Sequence, residues 1–337
     1  MVERIDIPPF IWRFFLLPHI PYLLQFFTMK QNFPYGPVFI MLGASLWAID
    51  ALFRTQLTFS FSSTFIIFFE HLLGFFILSP FFIKSLNEYK KLNTKAWVIA
   101  ISMTIVSSVA GTLLFTEALN RSFAFGDFAT PVLLQKLQPV FVVILSSIFL
   151  KEKITPRFLI LALIALLGSY LLSFGTSPIS LNFAGKEIIV LLAIGAAFAW
   201  GSGTIMSKFL LTKLSHKAAT ALRFLLAIPI SASAVFILGE SFDFGTLDIN
   251  AIWRFILIAG ITGGAGAMLL YYFGLKSTQA KISTFAELAF PITSLIIAIT
   301  PLNPYGEAQT LSLANLLGVI ILFVSVSLIS FKKPTIK

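Results

Sequence analysis

Apolar runs of about 20 residues recur ten times along this chain of 337 residues. A helix of about 20 apolar residues is long enough to cross the hydrocarbon core of a bilayer. The runs are unalternating and rich in Leu, Ile, Phe and Ala, unlike the alternating strands of about ten residues in an outer-membrane barrel. The sequence therefore predicts an all-α integral membrane protein with ten transmembrane helices. The predicted spans lie near residues 35–54, 60–83, 96–119, 127–150, 156–174, 187–208, 218–238, 251–275, 280–301 and 311–331.

Composition excludes the soluble classes of protein. Hydrophobic residues make up 58% of the chain and charged residues 11%, against about 25% charged residues in an ordinary globular domain. The net charge of +10 comes from basic residues in short connections, where they act as topology signals rather than as a nucleic-acid surface. Cysteine is absent, so no thiol nucleophile or Cys metal site is available.

The basic residues divide unequally between the two sides of the ten predicted spans. One side carries 18 Lys and Arg residues, and the other carries Arg54, Arg121, Lys186 and Arg254. Retained cytoplasmic loops carry the excess of positive charge. This asymmetry predicts a multi-pass protein of the cytoplasmic (inner) membrane with both termini in the cytoplasm.

Residues 1–33 precede the first span and read as an interfacial or disordered extension. Phe10–Phe27 is apolar, but Arg13, Pro18 and Pro21 interrupt it, and an eleventh span would invert the charge asymmetry. The segment also lacks the small-residue cleavage site of a secretory signal.

The two halves of the chain superimpose weakly at a shift of about 152 to 156 residues. Leu46-Trp47-Ala48 falls on Ala199-Trp200-Gly201, and Gln135 and Pro139 fall on Glu287 and Pro291. Each half holds five spans, and because five is odd the second half enters the membrane from the opposite side. Inverted repeats of this kind recur in secondary transporters, where the halves exchange conformations around a central site.

The end of each half resembles the end of an EamA repeat of the drug/metabolite transporter superfamily. The resemblance rests on Pro131-Val-Leu-Leu-Gln-Lys-Leu-Gln-Pro139 followed by Phe149-Leu-Lys-Glu-Lys-Ile-Thr155. The second half repeats the pattern loosely as Pro291 and Gly306-Glu307-Ala-Gln-Thr310, without the preceding Leu. The resemblance implies two EamA-like repeats, at 34–174 and 187–331, in a ten-helix exporter or exchanger of small metabolites. It also implies a central cavity between the halves, with spans five and ten at the periphery.

Ionisable groups inside membrane spans are costly unless they are paired or hydrated, so each one is a candidate for function. Gln135 and Gln138 join them because they precede the proline of span four, and broken helices expose backbone groups to cargo. Trp47, Trp200 and Tyr271 either belong to the interface belts or line the cavity. Trp47 and Trp200 are repeat-equivalent and lie well inside their spans, which favours the cavity. The predicted substrate pathway consists of Trp47, Asp50, Glu70, His71, Glu117, Gln135, Lys136, Gln138, Trp200, Arg223, Tyr271 and Glu287, with helix breaks at Pro139 and Pro291.

Several pairings remain open from the sequence. Asp50 either forms an anchoring ion pair with Arg54 or lines the pathway. Glu70 and Lys136 lie at similar depth and form a structural bridge, a pair that opens for substrate or a proton, or no contact.

Arg223 either extends its side chain towards the interface or serves as counter-charge to Glu287. His71 is interpreted as a packed histidine rather than a metal ligand, because no second histidine or cysteine accompanies it at ligand spacing.

These features predict a secondary transporter of small polar or zwitterionic metabolites, such as amino acids, that works by alternating access. Side chains of both charge signs at membrane depth suit a zwitterion, whereas a nucleotide-type carrier needs an excess of Lys and Arg. The alternative is a non-transporting or lipid-handling membrane scaffold.

An enzyme is not expected, because no His-Glu-x-x-His or Gly-x-Ser-x-Gly motif is present, and no phosphate-binding loop supports ATP-driven pumping. The expected partners are a small-molecule substrate and the lipid bilayer, with protons as a candidate coupling ion. No metal, cofactor or nucleic acid is expected, and the protein is expected to be a monomer or a homodimer.

Overall fold

The computed structural model describes residues 35–123, 129–176, 185–242, 244–245, 247–303 and 307–331. The predicted extension at 1–33 lies outside the described residues. Within them, ten helices are long and apolar enough to cross a membrane, and each end lies within three residues of the predicted span. The helices are α1 Gly36–Leu57, α2 Ser63–Lys84, α3 Thr94–Ser122, α4 Thr130–Phe149, α5 Pro156–Phe174, α6 Glu187–Leu210, α7 His216–Ile237, α8 Ile249–Ser277, α9 Ala280–Ala298 and α10 Leu313–Ser330.

Polar side chains fix the starts of several helices. Thr155 accepts a hydrogen bond from the backbone N–H of Phe158 at the start of α5, where Pro156 needs no N–H partner. Ser312 and Asn315 form a reciprocal capping box at the start of α10. These caps satisfy backbone donors that the apolar sequence around them cannot.

The ten helices form two inverted five-helix repeats. The first helix of each repeat packs against helices of the other repeat: α1 packs against α8 and α9, and α6 packs against α3 and α4. The remaining helices pair across the halves as α2 with α7 and α5 with α10. Every pairing thus maps onto itself or onto its counterpart when the halves are exchanged.

A wide π-helical turn interrupts the same helix in each repeat. It occupies Thr104–Ala110 in α3 and Ile258–Thr262 in α8, and the two turns begin 154 residues apart. Such turns shift the register of the helix and occur frequently at functional sites. In α8, Gly263 and Gly264 follow the turn before the α-helix resumes at Ala265.

The fourth helix of each repeat is also interrupted. The helical segments of α4 end at Gln135 and resume at Gln138, and those of α9 end at Ala286 and resume at Ala289. A proline cannot donate to the carbonyl four residues before it. For Pro139 and Pro291 those carbonyls belong to Gln135 and Glu287, so each break lies where its proline removes a hydrogen bond.

The helices α4 and α9 pack closely at one end of the protein and loosely at the other. We call the end that carries the connections 84–95 and 208–217 the lysine-rich end, and the opposite end the lysine-poor end. At the lysine-rich end, residues 138–149 of α4 pack against residues 280–286 of α9. Their repeat counterparts at the lysine-poor end, 130–135 and 289–298, pack much less closely. The space between α4 and α9 is therefore closed at the lysine-rich end.

Candidate functional site

An ion-pair cluster joins α1 and α2 within the membrane-spanning region. Arg54 donates through Nε to Oδ2 of Asp50 at 2.5 Å and through Nη2 to Oε2 of Glu70 at 2.9 Å. Asp50 is 5% exposed and Glu70 is 7% exposed. The hydroxyl of Thr262 in α8 donates to Oδ1 of Asp50 at 3.1 Å, which ties the cluster to the other half. One guanidinium thus serves two buried carboxylates.

The cluster packs against the backbone that follows the π-helical turn of α8. A Cβ atom added at Gly263 would lie 2.3 Å from Oδ1 of Asp50, so only glycine permits this approach. The carbonyl of Gly263 accepts a hydrogen bond from Nε1 of Trp47 at 3.2 Å. The Trp47 ring also contacts the ring of Tyr271, with centroids 5.1 Å apart. Trp47 therefore contacts both the interrupted backbone of α8 and the ring of Tyr271.

Glu287 joins the breaks of α4 and α9. Its Oε1 accepts a hydrogen bond from the hydroxyl of Tyr271 at 2.8 Å, and its Oε2 accepts one from Nε2 of Gln138 at 3.0 Å. Gln135 donates in turn to Oε1 of Gln138 at 3.3 Å, and the hydroxyl of Thr204 lies 3.3 Å from that of Tyr271. The half-buried amides and carboxylate form one connected polar group at the centre of the two repeats.

Arg223 lies in a second polar group. Nη1 of Arg223 donates to the hydroxyl of Tyr272 at 3.0 Å, and Nη2 approaches Oγ of Ser107 in the π-helical turn of α3 at 3.5 Å. Ser207 of α6 lies 2.8 Å from the same tyrosine hydroxyl. The structure thus places Arg223 against Tyr272 rather than against Glu287, and within the described residues its guanidinium makes no ion pair.

The suggested pair between Glu70 and Lys136 is not formed. Glu70 is bound by Arg54, whereas Nζ of Lys136 points to α5 and donates to Oγ of Ser169 at 3.2 Å. The two side chains lie at similar depth but project in different directions, so they do not meet.

The remaining candidate residues take separate positions. His71 is packed: Nδ1 lies 2.7 Å from the carbonyl of Ile67, and its ring lies 4.9 Å from that of Phe224. Trp200 contacts Phe115, with ring centroids 5.4 Å apart.

Glu117 pairs with Arg121 on its own helix at 2.7 Å, and both side chains are about half exposed. This pair lies outside the central polar groups.

Glu152, the acidic residue of the motif at 149–155, contacts the start of α9, and the motif alone did not predict this contact. Its Oε1 accepts the backbone N–H of Ala280 at 2.7 Å, and its Oε2 accepts that of Lys281 at 3.0 Å. The Nζ of Lys281 returns a hydrogen bond to the carbonyl of Lys153. A carboxylate from the first half therefore caps the start of α9 in the second half, at the closed end of the helices.

Sequence reasoning also missed the partners that α3 and α8 supply. Thr262, Gly263, Ser107 and Tyr272 all bind members of the predicted pathway. The available signal was the cluster of small and polar residues, Thr-Gly-Gly at 262–264 and Ser-Ser at 107–108, inside otherwise apolar spans.

Comparison with known proteins agrees with this architecture. Residues 34–174 and 187–331 match the EamA-like transporter family. The chain belongs to the EamA-like transporter family. It is accordingly a membrane transporter and not an enzyme, and its partners include a small-molecule substrate and the bilayer.

Three named relatives of this EamA-like transporter are also described as transporters. The riboflavin transporter ImpX of Fusobacterium nucleatum is 33% identical over 266 residues, which cover 77% of this chain and 87% of that protein. An uncharacterized transporter of Synechocystis is 29% identical, over 71% of this chain and 69% of its own length. An uncharacterized transporter of Archaeoglobus fulgidus is 27% identical, over 65% of this chain and 79% of its own length.

A solved crystal structure shares the fold of this EamA-like transporter. It superimposes with a TM-score of 0.66 at 17% sequence identity, and the match covers 86% of this chain and 94% of that one. At this identity the likeness concerns the fold alone.

Proposed function

We propose that this EamA-like transporter carries riboflavin or a closely related flavin across the cytoplasmic membrane. The observation that carries the proposal is a pair of aromatic contacts on the two repeat-equivalent helices, Trp47 with Tyr271 and Trp200 with Phe115. The 33% identity to a riboflavin transporter supports the same substrate class.

The chemistry of a flavin suits these groups. Its tricyclic ring is planar and uncharged at neutral pH, so aromatic side chains can stack against it without the desolvation of a charge. Its ring carbonyls and sugar-alcohol hydroxyls need neutral donors and acceptors. Gln135, Gln138 and the hydroxyls of Tyr271 and Thr204 supply them beside the aromatic pairs.

A zwitterionic substrate such as an amino acid is the second candidate. Arg223 and Glu287 carry opposite charges, and each is held by neutral hydrogen-bonding groups rather than by an ion pair within the described residues. A carboxylate and an ammonium group could therefore each find a counter-charge. The other charges of the pathway are less available, because Asp50, Arg54 and Glu70 already neutralise one another in part.

We further propose that the lysine-rich end faces the cytoplasm and that both termini lie on that side of the inner membrane. The excess of Lys and Arg at this end supports the orientation. The looser packing of α4 and α9 at the opposite end then corresponds to a state open to the outside. Closing that end and opening the other would complete alternating access between the two repeats at 34–174 and 187–331.

Protons are the proposed coupling ion. Asp50 and Glu70 share one guanidinium, so the cluster carries one uncompensated negative charge when both are ionised. A buried excess charge is costly, and uptake of one proton removes it. A pH gradient across liposomes should therefore change the initial rate of flux, and an unchanged rate would exclude coupling through this cluster.

Flux into proteoliposomes tests the substrate. We expect labelled riboflavin to enter the proteoliposomes, and an excess of unlabelled riboflavin to reduce its flux by competition. A mixture of amino acids should leave the riboflavin flux unchanged. Amino-acid flux without riboflavin flux would favour the second candidate, and flux of neither would contradict both.

Single tryptophan variants test the proposed aromatic walls. Trp47→Ala and Trp200→Ala should each lower riboflavin flux about tenfold, because each removes an aromatic contact and its buried area. Trp253→Ala is the matched control, since this tryptophan is 39% exposed and belongs to neither pair. Equal flux in all three variants would refute the role of the pathway tryptophans.

A further inference from the structure

A pocket of about 340 Å³ opens on the flank of the transporter at the lysine-rich end. Its walls come from the end of α2, the connection that follows, the start of α3 and the first turns of α7. Most of the lining is apolar. The lining side chains include Phe82, Leu86, Tyr89, Lys90, Trp97 and Leu226, together with three further leucines.

The aromatic wall of this pocket is held rigidly. The ring of Tyr89 stacks on that of Phe82 at 4.9 Å, and its hydroxyl donates to the carbonyl of Ala218 at 3.0 Å. Burial, reinforced by the charge of Glu88, raises the pKa of Tyr89 above its usual range. The hydroxyl therefore stays protonated and keeps its bond to α7.

The pocket opens towards the lipid rather than towards the central polar groups. Leu86 lines it and is 44% exposed, and the neighbouring Ile83 and Val98 are 64% and 56% exposed. Large exposed apolar side chains of a membrane helix face acyl chains. Trp97 lies in the first turn of α3, where indole rings sit at the level of the lipid headgroups.

The elements that form the pocket are rich in lysine. Lys90 lines the pocket directly, and four more lysines lie on the same elements, namely Lys84, Lys91, Lys95 and Lys217. The single acid between Lys84 and Lys95 is Glu88. Its carboxylate is already bound by the backbone N–H and the hydroxyl of Ser215. The lysines therefore keep an unbalanced positive charge beside an apolar pocket.

We infer that this pocket binds an anionic phospholipid, with an acyl chain against the leucines and the phosphate beside Lys90. The apolar lining fits a hydrocarbon chain, and the surrounding lysines fit a negatively charged headgroup. Basic sites between membrane helices at the cytoplasmic side bind such headgroups. The site is separate from the residues of the proposed substrate pathway, and its place at the cytoplasmic side rests on the proposed orientation.

Thermal unfolding in detergent tests the inference on the full-length protein. Phosphatidylglycerol should raise the melting temperature in a saturable way, and phosphatidylcholine should do so much less, because only the first has a net negative charge. Lys90→Gln should weaken the phosphatidylglycerol effect about fivefold in lipid concentration, the loss expected for one lysine at a membrane surface. Lys213→Gln is the matched control, since Lys213 is an exposed lysine at the same end and does not line the pocket.

Leu226→Trp tests the acyl chain separately by filling the pocket, and native mass spectrometry counts the lipids that remain bound. We expect this variant to retain fewer phosphatidylglycerol molecules than the unmodified protein. Two results would overturn the inference. One is an equal response of the Lys90 and Lys213 variants to phosphatidylglycerol. The other is full stabilisation by soluble glycerol phosphate, which carries the headgroup chemistry without a chain. The Lys90 variant keeps the test valid even if the tryptophan variant fails to fold.

Discussion

The carboxylate of Glu152 should hold the lysine-rich end of the transporter closed. It accepts hydrogen bonds from the first two backbone N–H groups of α9, at 2.7 and 3.0 Å, and it comes from the opposite repeat. The α4–α5 connection that carries Glu152 cannot separate from the start of α9 without losing both bonds. Glu152→Ala should therefore shift the protein towards states that are open at this end.

The size of this shift follows from the two bonds. A hydrogen bond to a charged group contributes about 1.5–3 kcal/mol, and a carboxylate at a helix N-terminus contributes about 0.3–1 kcal/mol more. Glu152 is half buried, so the lower values apply and the total is about 3 kcal/mol. A difference of about 3 kcal/mol changes the ratio of two conformations by about 150-fold.

Cysteine labelling can measure the shift, because the chain has no native cysteine. Ser283 lies between the Glu152 contact and Glu287, and it is fully buried, so Ser283→Cys reports opening of this end. In this background, Glu152→Ala should speed the reaction with a small thiol reagent by up to about 150-fold. Glu152→Gln keeps one acceptor oxygen and should give a smaller increase.

Glu307→Ala provides the control, since Glu307 is exposed and lies in the repeat-equivalent motif of the second half. It should not raise the labelling rate of Ser283→Cys, because Glu307 lies at the lysine-poor end. If Glu152→Ala changes that rate by less than twofold while the protein stays folded, the contact does not hold this end closed.

Three further substitutions test the packing, each by thermal unfolding in detergent. Gly263→Ala should destabilise the protein by about 1–3 kcal/mol, because its Cβ would lie 2.3 Å from the Asp50 carboxylate. Arg54→Met should cost about 3 kcal/mol, since it leaves two buried carboxylates, Asp50 and Glu70, without their shared cation. Asn315→Ala should cost about 1–2 kcal/mol, because the amide caps α10 and also donates to two carbonyls of α5.

Each of these substitutions has its own contrary result. An unchanged melting temperature for Gly263→Ala would contradict the close approach of α1 and α8. An unchanged melting temperature for Arg54→Met at neutral pH would show that the two carboxylates do not need a cation. Equal stability of Asn315→Ala and of Asn250→Ala, an exposed asparagine in the first turn of α8, would show that the Asn315 amide does not stabilise the α5–α10 contact.

The membrane spans and their inverted repetition follow from the sequence alone. A span is a property of about 20 consecutive residues, because the hydrocarbon core excludes unsatisfied backbone groups and polar side chains. All ten helices consequently end within three residues of their predicted positions. The odd number of spans in each half then requires the second half to be inverted. Pro139 and Pro291 lie at the two helix breaks, but Pro80 in α2 and Pro229 in α7 lie inside helices that continue, so a proline alone does not predict a break.

The partners of the ionisable residues depend on the tertiary structure. The sequence gives the depth of a side chain in its own span, but it does not give the direction in which the helix presents that side chain. Glu70 and Lys136 lie at similar depth, yet one faces Arg54 and the other faces Ser169. The partner of Arg223 could not be read from charge either, because a tyrosine hydroxyl binds it instead of a carboxylate.

The closed end of the helices is also a tertiary property. The two repeats have related sequences, and an exchange of their conformations would close the opposite end with similar contacts. The Glu152 contact joins segments that are far apart in the chain. The π-helical turns differ little from ordinary helix in composition. The sequence determined how many times the chain crosses the membrane and in which order. Packing between the repeats decided which charges pair and which end is closed, because those outcomes depend on small differences between many contacts across the two halves.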